Sequence, residues 1–233
     1  MREDIFIEFK NFVKSEYGII LSEEQTEKFK LYLTELILWN KKINLTSIVD
    51  EKGIIYFHFS DSLSVNIVFK QNNINTESKK LKIVDVGSGA GFPSIPLKII
   101  YSEPSFTLIE SKKKKCFFLE NIKKKLELQN IEIVNMTIEH NRNINEYIGY
   151  FDISVSRALG KIGTSIKLLA PMIRQYGLLL FWITENQRTE IEFSERTLKE
   201  SGLQCINYAE YKLPETIQKR YIAVLKKSNI VDF

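Results

Sequence analysis

Cysteine is scarce in this chain of 233 residues, with only Cys116 and Cys205. They lie far apart and lack metal-ligand spacing, so neither a disulfide framework nor a metal site can be drawn from them, and a reducing compartment fits. Histidine is equally scarce, at His58 and His140. No uninterrupted apolar run approaches the ~18 residues of a membrane span. The opening MREDIFIEFKNF mixes acids with apolar residues, unlike a secretory signal. The expectation is a cytoplasmic monomer with no membrane and no metal partner. What is present supports a folded α/β protein: 44% hydrophobic and 27% charged residues can build a core. A net charge of +4 permits a polyanionic partner without requiring one.

Periodicity divides the chain. Apolar residues at three- and four-residue intervals in IFIEFKNFV and FKLYLTELILWN predict two helices, the second opened by a capping box of Ser22 and Gln25. HFSDSLSVNIVF predicts a third. The polar stretch Lys70 to Lys80 reads as a joint, giving a helical extension over residues 1–70 and a main domain over 81–233. From Leu81 strands and helices alternate: LKIVDVG, SFTLIE, IEIVNM, FDISVSRA and LLLFWI are strands. A helix over KIGTSIKLLAPMIRQYG ends at its glycine, and CINYAEYKLP pairs with RYIAVLKK to close the sheet. This alternation implies a mostly parallel sheet covered on both faces.

The first strand runs into VDVGSGAGFPSIPL, a loop with Gly87, Gly89 and Gly91. It lies at the carboxyl end of the strand, where doubly wound sheets bind ligands, and the helix after it would offer free N–H groups. A phosphate-cradling loop would need Gly-Lys-Ser/Thr, but Phe92 and Pro93 follow Gly91. A dinucleotide fingerprint would need a glycine where Phe92 stands. Asp85 would repel a pyrophosphate and suits a ligand with a cationic amine, such as S-adenosyl-L-methionine. A bare tight turn is the alternative. Glu110, ending the second strand, can accept both ribose hydroxyls or can cap its own helix. Pro93 and Pro96 are tolerated at the start of the next helix and stiffen the loop.

LILWNKKINLTSI, HFSDSL, VDVGSGAGFPSIPL, TLIESKKKKCFFL and SRAL, in this order between about Leu36 and Leu180, resemble the bacterial small-subunit ribosomal RNA guanine-N7 methyltransferase G family, also called glucose-inhibited division protein B. The resemblance implies a Rossmann-like class I S-adenosylmethionine-dependent methyltransferase with a seven-stranded sheet and an N-terminal helical extension. It implies methyl transfer to N7 of guanine 527 of 16S rRNA, with 16S rRNA or the 30S subunit as partner. Carried over by motif, Gly87, Gly89 and Phe92 contact the cofactor, Ile138 and Glu139 hold its adenine, and Arg157 ends the fourth strand. Two positions depart from the family pattern: Ser94 replaces a glycine, and Ile183 with Thr184 replaces a lysine–glycine pair. The alternatives are a methyltransferase acting on another RNA or a small molecule, and an RNA-binding module with a degenerate cofactor pocket.

Guanine N7 carries a lone pair and no proton, so its methylation needs positioning rather than a general base. Neither cysteine is placed to serve as the nucleophile of a cytosine-C5 enzyme, and Ser156-Arg157-Ala158-Leu159 stands where amino methylating enzymes carry Asn/Asp-Pro-Pro-Tyr. The fork of Arg157 suits guanine O6, a phosphate or the cofactor carboxylate; the structural alternative is a salt bridge to Asp152 or Asp85. Lys112, Lys113, Lys114 and Lys115 open a helix against its dipole, which points to RNA phosphate. Lys123 to Lys125 read as a solvated face. Lys41 and Lys42 are further RNA candidates, while Asn40 and Asn44 satisfy backbone groups at the helix end. His58 is read as paired with Asp61.

Overall fold

The fold is that of a computed structural model, which describes residues 3–138, 142–157 and 160–228. Helix α1 (Glu3–Tyr17) buries Phe6, Phe9 and Val13, and α2 (Glu23–Asn40) buries Phe29, Leu33 and Leu36. In each, the helical repeat gathers these residues on one face. Ser22 Oγ accepts the Gln25 N–H at 3.1 Å, and Gln25 Oε1 accepts the Ser22 N–H at 3.0 Å, so the expected capping box forms. Asn40 Oδ1 accepts the N–H groups of Leu45 (2.8 Å) and Thr46 (3.0 Å) and holds the turn after α2. Asn44 stands exposed.

The third helical segment is not one regular helix. It runs as α3 (Glu51–Ile54), a π-helical turn over Ile55–Ser60, α4 (Asp61–Leu63) and α5 (Val65–Gln71). Ser60, Ser62 and Ser64 turn their hydroxyls back onto the carbonyls of Ile55, His58 and Asp61. Such back-bonding competes with the helical ladder.

The described strands are β1 (Lys82–Val86), β2 (Ser105–Glu110), β3 (Ile131–Asn135), β4 (Phe151–Arg157), β5 (Ile173–Thr184), β6 (Leu203–Tyr211) and β7 (Arg220–Lys227). They form one seven-stranded sheet in the order β3-β2-β1-β4-β5-β7-β6. The five strands from β3 to β5 are parallel, while β7 is antiparallel to both β5 and β6. Helices α6 (Ser94–Ile100), α7 (Lys113–Lys125) and α8 (Ile162–Leu169) connect the parallel strands; α9 (Glu185–Glu192) and α10 (Glu195–Glu200) lead from β5 to β6. The sequence reading assigned no element to the α9–α10 segment. The helix expected over KIGTSIKLLAPMIRQYG ends at Leu169, and β5 already begins at Ile173. Pro171 has no N–H to continue the helix. Gly177 is therefore not a helix stop but a close contact inside β5, where a Cβ would fall 2.5 Å from Ile173 Cγ2.

Each face of the sheet has its own core. Phe9, Phe29, Leu33 and Phe59 of the N-terminal helices pack with Ile83, Leu108, Val155 and Leu180 of the strands. The opposite face packs Val84, Ile109 and Leu179 against Ile162, Ile166 and Leu169 of α8. The helical extension therefore supplies one of the two layers that bury the sheet. No described helix is long and apolar enough to cross a membrane.

Candidate functional site

Strand alternation builds the site. Ile83, Leu108, Val155 and Leu180 all face the N-terminal helices. Two residues further along each strand stand Asp85, Glu110, Arg157 and Trp182. With a period of two, these four point to the same side, at the carboxyl edge of the sheet. One face thus changes from apolar to polar within one step, at the place where the order reverses between β1 and β4.

The loop after β1 is held by bonds within the protein. The N–H groups of Gly87 and Ser88 donate to Ile109 O at 2.8 and 3.3 Å, that of Gly89 to Glu110 Oε2 at 2.9 Å, and that of Gly91 to Ser88 O at 2.7 Å. Ile95 N–H, at the start of α6, donates to Gly91 O. Five amides of the loop and the start of α6 are therefore taken by Glu110 and neighbouring carbonyls, which weighs against a phosphate cradle alongside the spacing. Gly91 (φ +95) leaves no room for a side chain, since its Cβ would lie 2.5 Å from Ile95 Cγ1. At Gly89 (φ +59) a Cβ would meet Gly87 O at 3.7 Å and Lys115 Nζ at 3.8 Å, ordinary contacts without a clash.

Both readings of Glu110 have a basis. It is 5% exposed, and its Oε1 accepts the Lys112 N–H at 2.8 Å ahead of α7 while Oε2 faces the loop. Oε1 also accepts the Ser111 hydroxyl at 3.4 Å, so Oε2 is the oxygen that keeps a second lone pair for a ligand hydroxyl. Asp85 is 1% exposed, and its Oδ2 has no hydrogen-bond partner. Burial pushes its pKa up to about 7, with Ser94 and the Arg157 charge opposing. A buried carboxylate oxygen without a donor is costly unless a ligand supplies one. An amine-bearing ligand over the glycine loop fits the orphaned Oδ2.

Arg157 is fixed from the N-terminal side. Its Nη1 donates to Asp61 Oδ2 at 2.9 Å and to Phe57 O at 3.3 Å, and its Nη2 donates to His58 Nδ1 at 2.5 Å. The guanidinium lies 5.2 Å from the centre of the Phe92 ring, which stacks on His58 at 4.5 Å. Arginine can only donate, so His58 Nδ1 carries the lone pair and Nε2–H donates to Thr46 Oγ1 at 2.6 Å. Burial, together with the Arg157 charge, lowers the His58 pKa to about 3. Asp61 Oδ1 accepts the Tyr211 hydroxyl at 2.6 Å, and its backbone carbonyl accepts Trp182 Nε1–H at 2.8 Å.

Several expectations change here. The structural partner of Arg157 is Asp61, neither Asp152 nor Asp85, and Asp152 bonds Arg174 and the Lys82 N–H instead. His58 and Asp61 do not pair directly but share Arg157, because the π-helical turn aims Phe57 O, His58 and Asp61 at one point. Tyr211 and Trp182 were not foreseen, since nothing local marks a strand residue that bonds a helix more than a hundred positions away. Ile138 is buried beside Val86 and Ile109 in the second core. Glu139, its companion, lies outside the described residues, as do His140, Ala158 and Leu159. Ile183 is buried in the second core, and the Thr184 N–H donates to Gln187 Oε1, opening α9. The place of the expected lysine–glycine pair is thus taken by a core residue and a helix start.

The lysines divide into groups. Lys112, Lys113 and Lys114 are exposed, whereas Lys115 Nζ lies 3.8 Å from the Cβ position of Gly89, over the glycine loop. Helices α2 and α7 pack antiparallel, with Glu35 bonding Asn121 and Lys125, and Trp39 against Phe118 at 5.7 Å. The exposed Lys41 and Lys42 therefore lie toward the start of α7. Lys125 is tied to Glu35 and Lys123 to Glu120, so these two are not simply solvated. Among the described residues no group of three or more His, Cys, Asp or Glu could hold a metal ion.

Comparison with known proteins gives the family and the fold. The family described as rRNA small subunit methyltransferase G (GidB) matches residues 25–220. The ribosomal RNA small subunit methyltransferase G of Thermoanaerobacter sp. (strain X514) is 36% identical over 212 residues, covering 91% of this chain and 86% of that protein. Among solved structures, TYW2 of M. jannaschii in complex with AdoMet shares the fold at TM-score 0.51 and 16% identity, over 68% of this chain and 74% of its own. A SAM dependent methyltransferase from Aquifex aeolicus does so at TM-score 0.52 and 12% identity, over 69% and 89%. The fold is that of a class I methyltransferase, and the chain belongs to the ribosomal RNA small subunit methyltransferase G family.

Proposed function

We propose that the protein transfers a methyl group from S-adenosyl-L-methionine to N7 of a guanine in 16S rRNA, guanine 527 in the standard numbering. The observation that supports this reading best is the pairing of an orphaned carboxylate, Asp85, with a braced guanidinium, Arg157, on one face of the sheet edge. The cofactor supplies an electrophilic methyl on a sulfonium, which leaves as a neutral thioether when N7 takes the methyl. Asp85 receives the amine, Glu110 the ribose hydroxyls, and the backbone of Gly87 and Gly89 forms the floor. Phe92 closes one side, and Ile138 borders the adenine. None of these groups has to remove a proton.

Arg157 holds the substrate. Its Nη1 and Nη2 are pinned by Asp61, His58 and Phe57, so its position is set before substrate arrives. Such pre-orientation lowers the barrier without a proton transfer. Because His58 is neutral, it braces Arg157 without adding a competing charge. The lysines at the start of α7, with Lys41 and Lys42, supply the salt-dependent attraction to the RNA.

Methyl transfer from labelled cofactor to 30S subunits lacking the modification tests the reading, with the modified base mapped by cleavage at 7-methylguanine. Label at N7 of guanine 527 is expected. Label elsewhere, or RNA binding without transfer at saturating cofactor, overturns it.

A further inference from the structure

Arg220 opens β7, opposite Thr184 at the end of β5 and Tyr211 at the end of β6. Alternation along β7 puts its side chain on the face of Ile222 and Val224, the face shared with the N-terminal helices. Arg157 and Trp182 occupy that face too. Arg220 Nε is buried and without a hydrogen-bond partner, and among the described residues its guanidinium forms no ion pair. Neighbouring acids are engaged elsewhere: Glu185 with Arg188, Glu210 with Lys219 and Glu215 with Lys52. Asp61 is spent on Arg157 and Tyr211. His58 is neutral, so two guanidiniums face one carboxylate along this part of the edge. A buried donor of this kind is unfavourable without an acceptor, and none comes from the described chain.

We propose that Arg220 is a substrate-binding residue that holds a backbone phosphate of the RNA beside the target guanine; this rests on the rRNA methyltransferase reading above. Its place in the sheet selects phosphate over the cofactor carboxylate. In the order β1-β4-β5-β7, Arg220 stands three strands from Asp85 and two beyond Arg157. At about 4.8 Å per strand that is about 14 Å from the amine subsite and about 10 Å past Arg157. An extended polyanion crossing the edge reaches it, while the amino-acid end of the cofactor stays at β1. Guanidinium geometry suits two phosphate oxygens.

Methylation of unmodified 30S subunits by wild type, R220Q and R220K, as a function of salt, tests the assignment, with cofactor affinity measured by calorimetry. In R220Q, KM for 30S rises about tenfold, the wild-type kcat is kept to within a few-fold, and the slope of log affinity against log salt falls by about 0.7, one phosphate's share. R220K keeps the charge and restores the slope, with KM between the other two; since it preserves the cation, it also carries the test should R220Q not fold. Cofactor affinity is unchanged in both. An unchanged KM and slope in R220Q, or weakened cofactor binding with unchanged KM, overturns the assignment. Wild type that transfers no methyl at all would instead defeat the rRNA reading itself.

Discussion

Replacing Asp85 with asparagine separates two effects of one carboxyl. Without cofactor, burial raises the Asp85 pKa from 3.8 to about 7. A carboxyl whose pKa rises on folding keeps its proton longer in the folded state. Its ionised form therefore penalises the fold above pH 7, and the penalty is relieved as pH falls through the window between the two values. About three units correspond to at most about 4 kcal/mol. D85N removes the penalty, so the cofactor-free variant should melt later than wild type at pH 8, with the difference shrinking toward pH 5. Cofactor binding should move the opposite way. A bound amine keeps Asp85 ionised, so binding releases nearly a whole proton well below pH 7 and little well above it. Wild-type affinity should fall roughly tenfold per unit below pH 6. In D85N it should be about 10- to 100-fold weaker at pH 8, with no such pH dependence. Calorimetry in two buffers of different ionisation enthalpy measures the released proton. Buffer-independent heats at pH 6 to 7, or D85N binding as tightly as wild type at pH 8, would refute the placement of the amine at Asp85.

Gly91→Ala drives a Cβ to 2.5 Å from Ile95 and should cost about 3 kcal/mol or more in thermal or urea unfolding, whereas Gly89→Ala meets nothing closer than 3.7 Å. The second variant should lose only about 1 kcal/mol of stability yet bind cofactor poorly, because its methyl projects from the loop that the cofactor would lie against. Asp61→Ala leaves Arg157 and Tyr211 without their shared acceptor and should destabilise by about 3–5 kcal/mol in chemical denaturation. Arg157→Ala should lower kcat by about 10²- to 10³-fold in the 30S assay while changing cofactor affinity less than tenfold. Neutralising Lys112, Lys113 and Lys114 together should reduce the salt slope of 30S binding by about 2, and K115Q, placed over the loop, should weaken cofactor binding instead.

Features encoded within a short window were legible from the sequence. The Ser22–Gln25 box, the first strand, the glycine loop after it and the acid at Glu110 each follow from neighbours a few residues apart. The partner of Arg157 did not, because Asp61 lies 96 positions away. Spacing favoured the nearer acids Asp85 and Asp152, yet Asp152 is already held by Arg174 and the Lys82 N–H. The sequence separates Lys112–Lys115 from Lys123–Lys125 but not the members within each group, whereas the fold sets Lys115 over the glycine loop and ties Lys125 to Glu35. The end of α8 was misplaced because Gly177 resembles a stop signal, while Pro171 is the residue that breaks the helix.

The bond from Asp61 to Tyr211 joins the first third of the chain to its penultimate strand. During synthesis, residues 58–61 emerge long before residue 211, so the cradle for Arg157 stays half-built until β6 has been made and has joined the sheet.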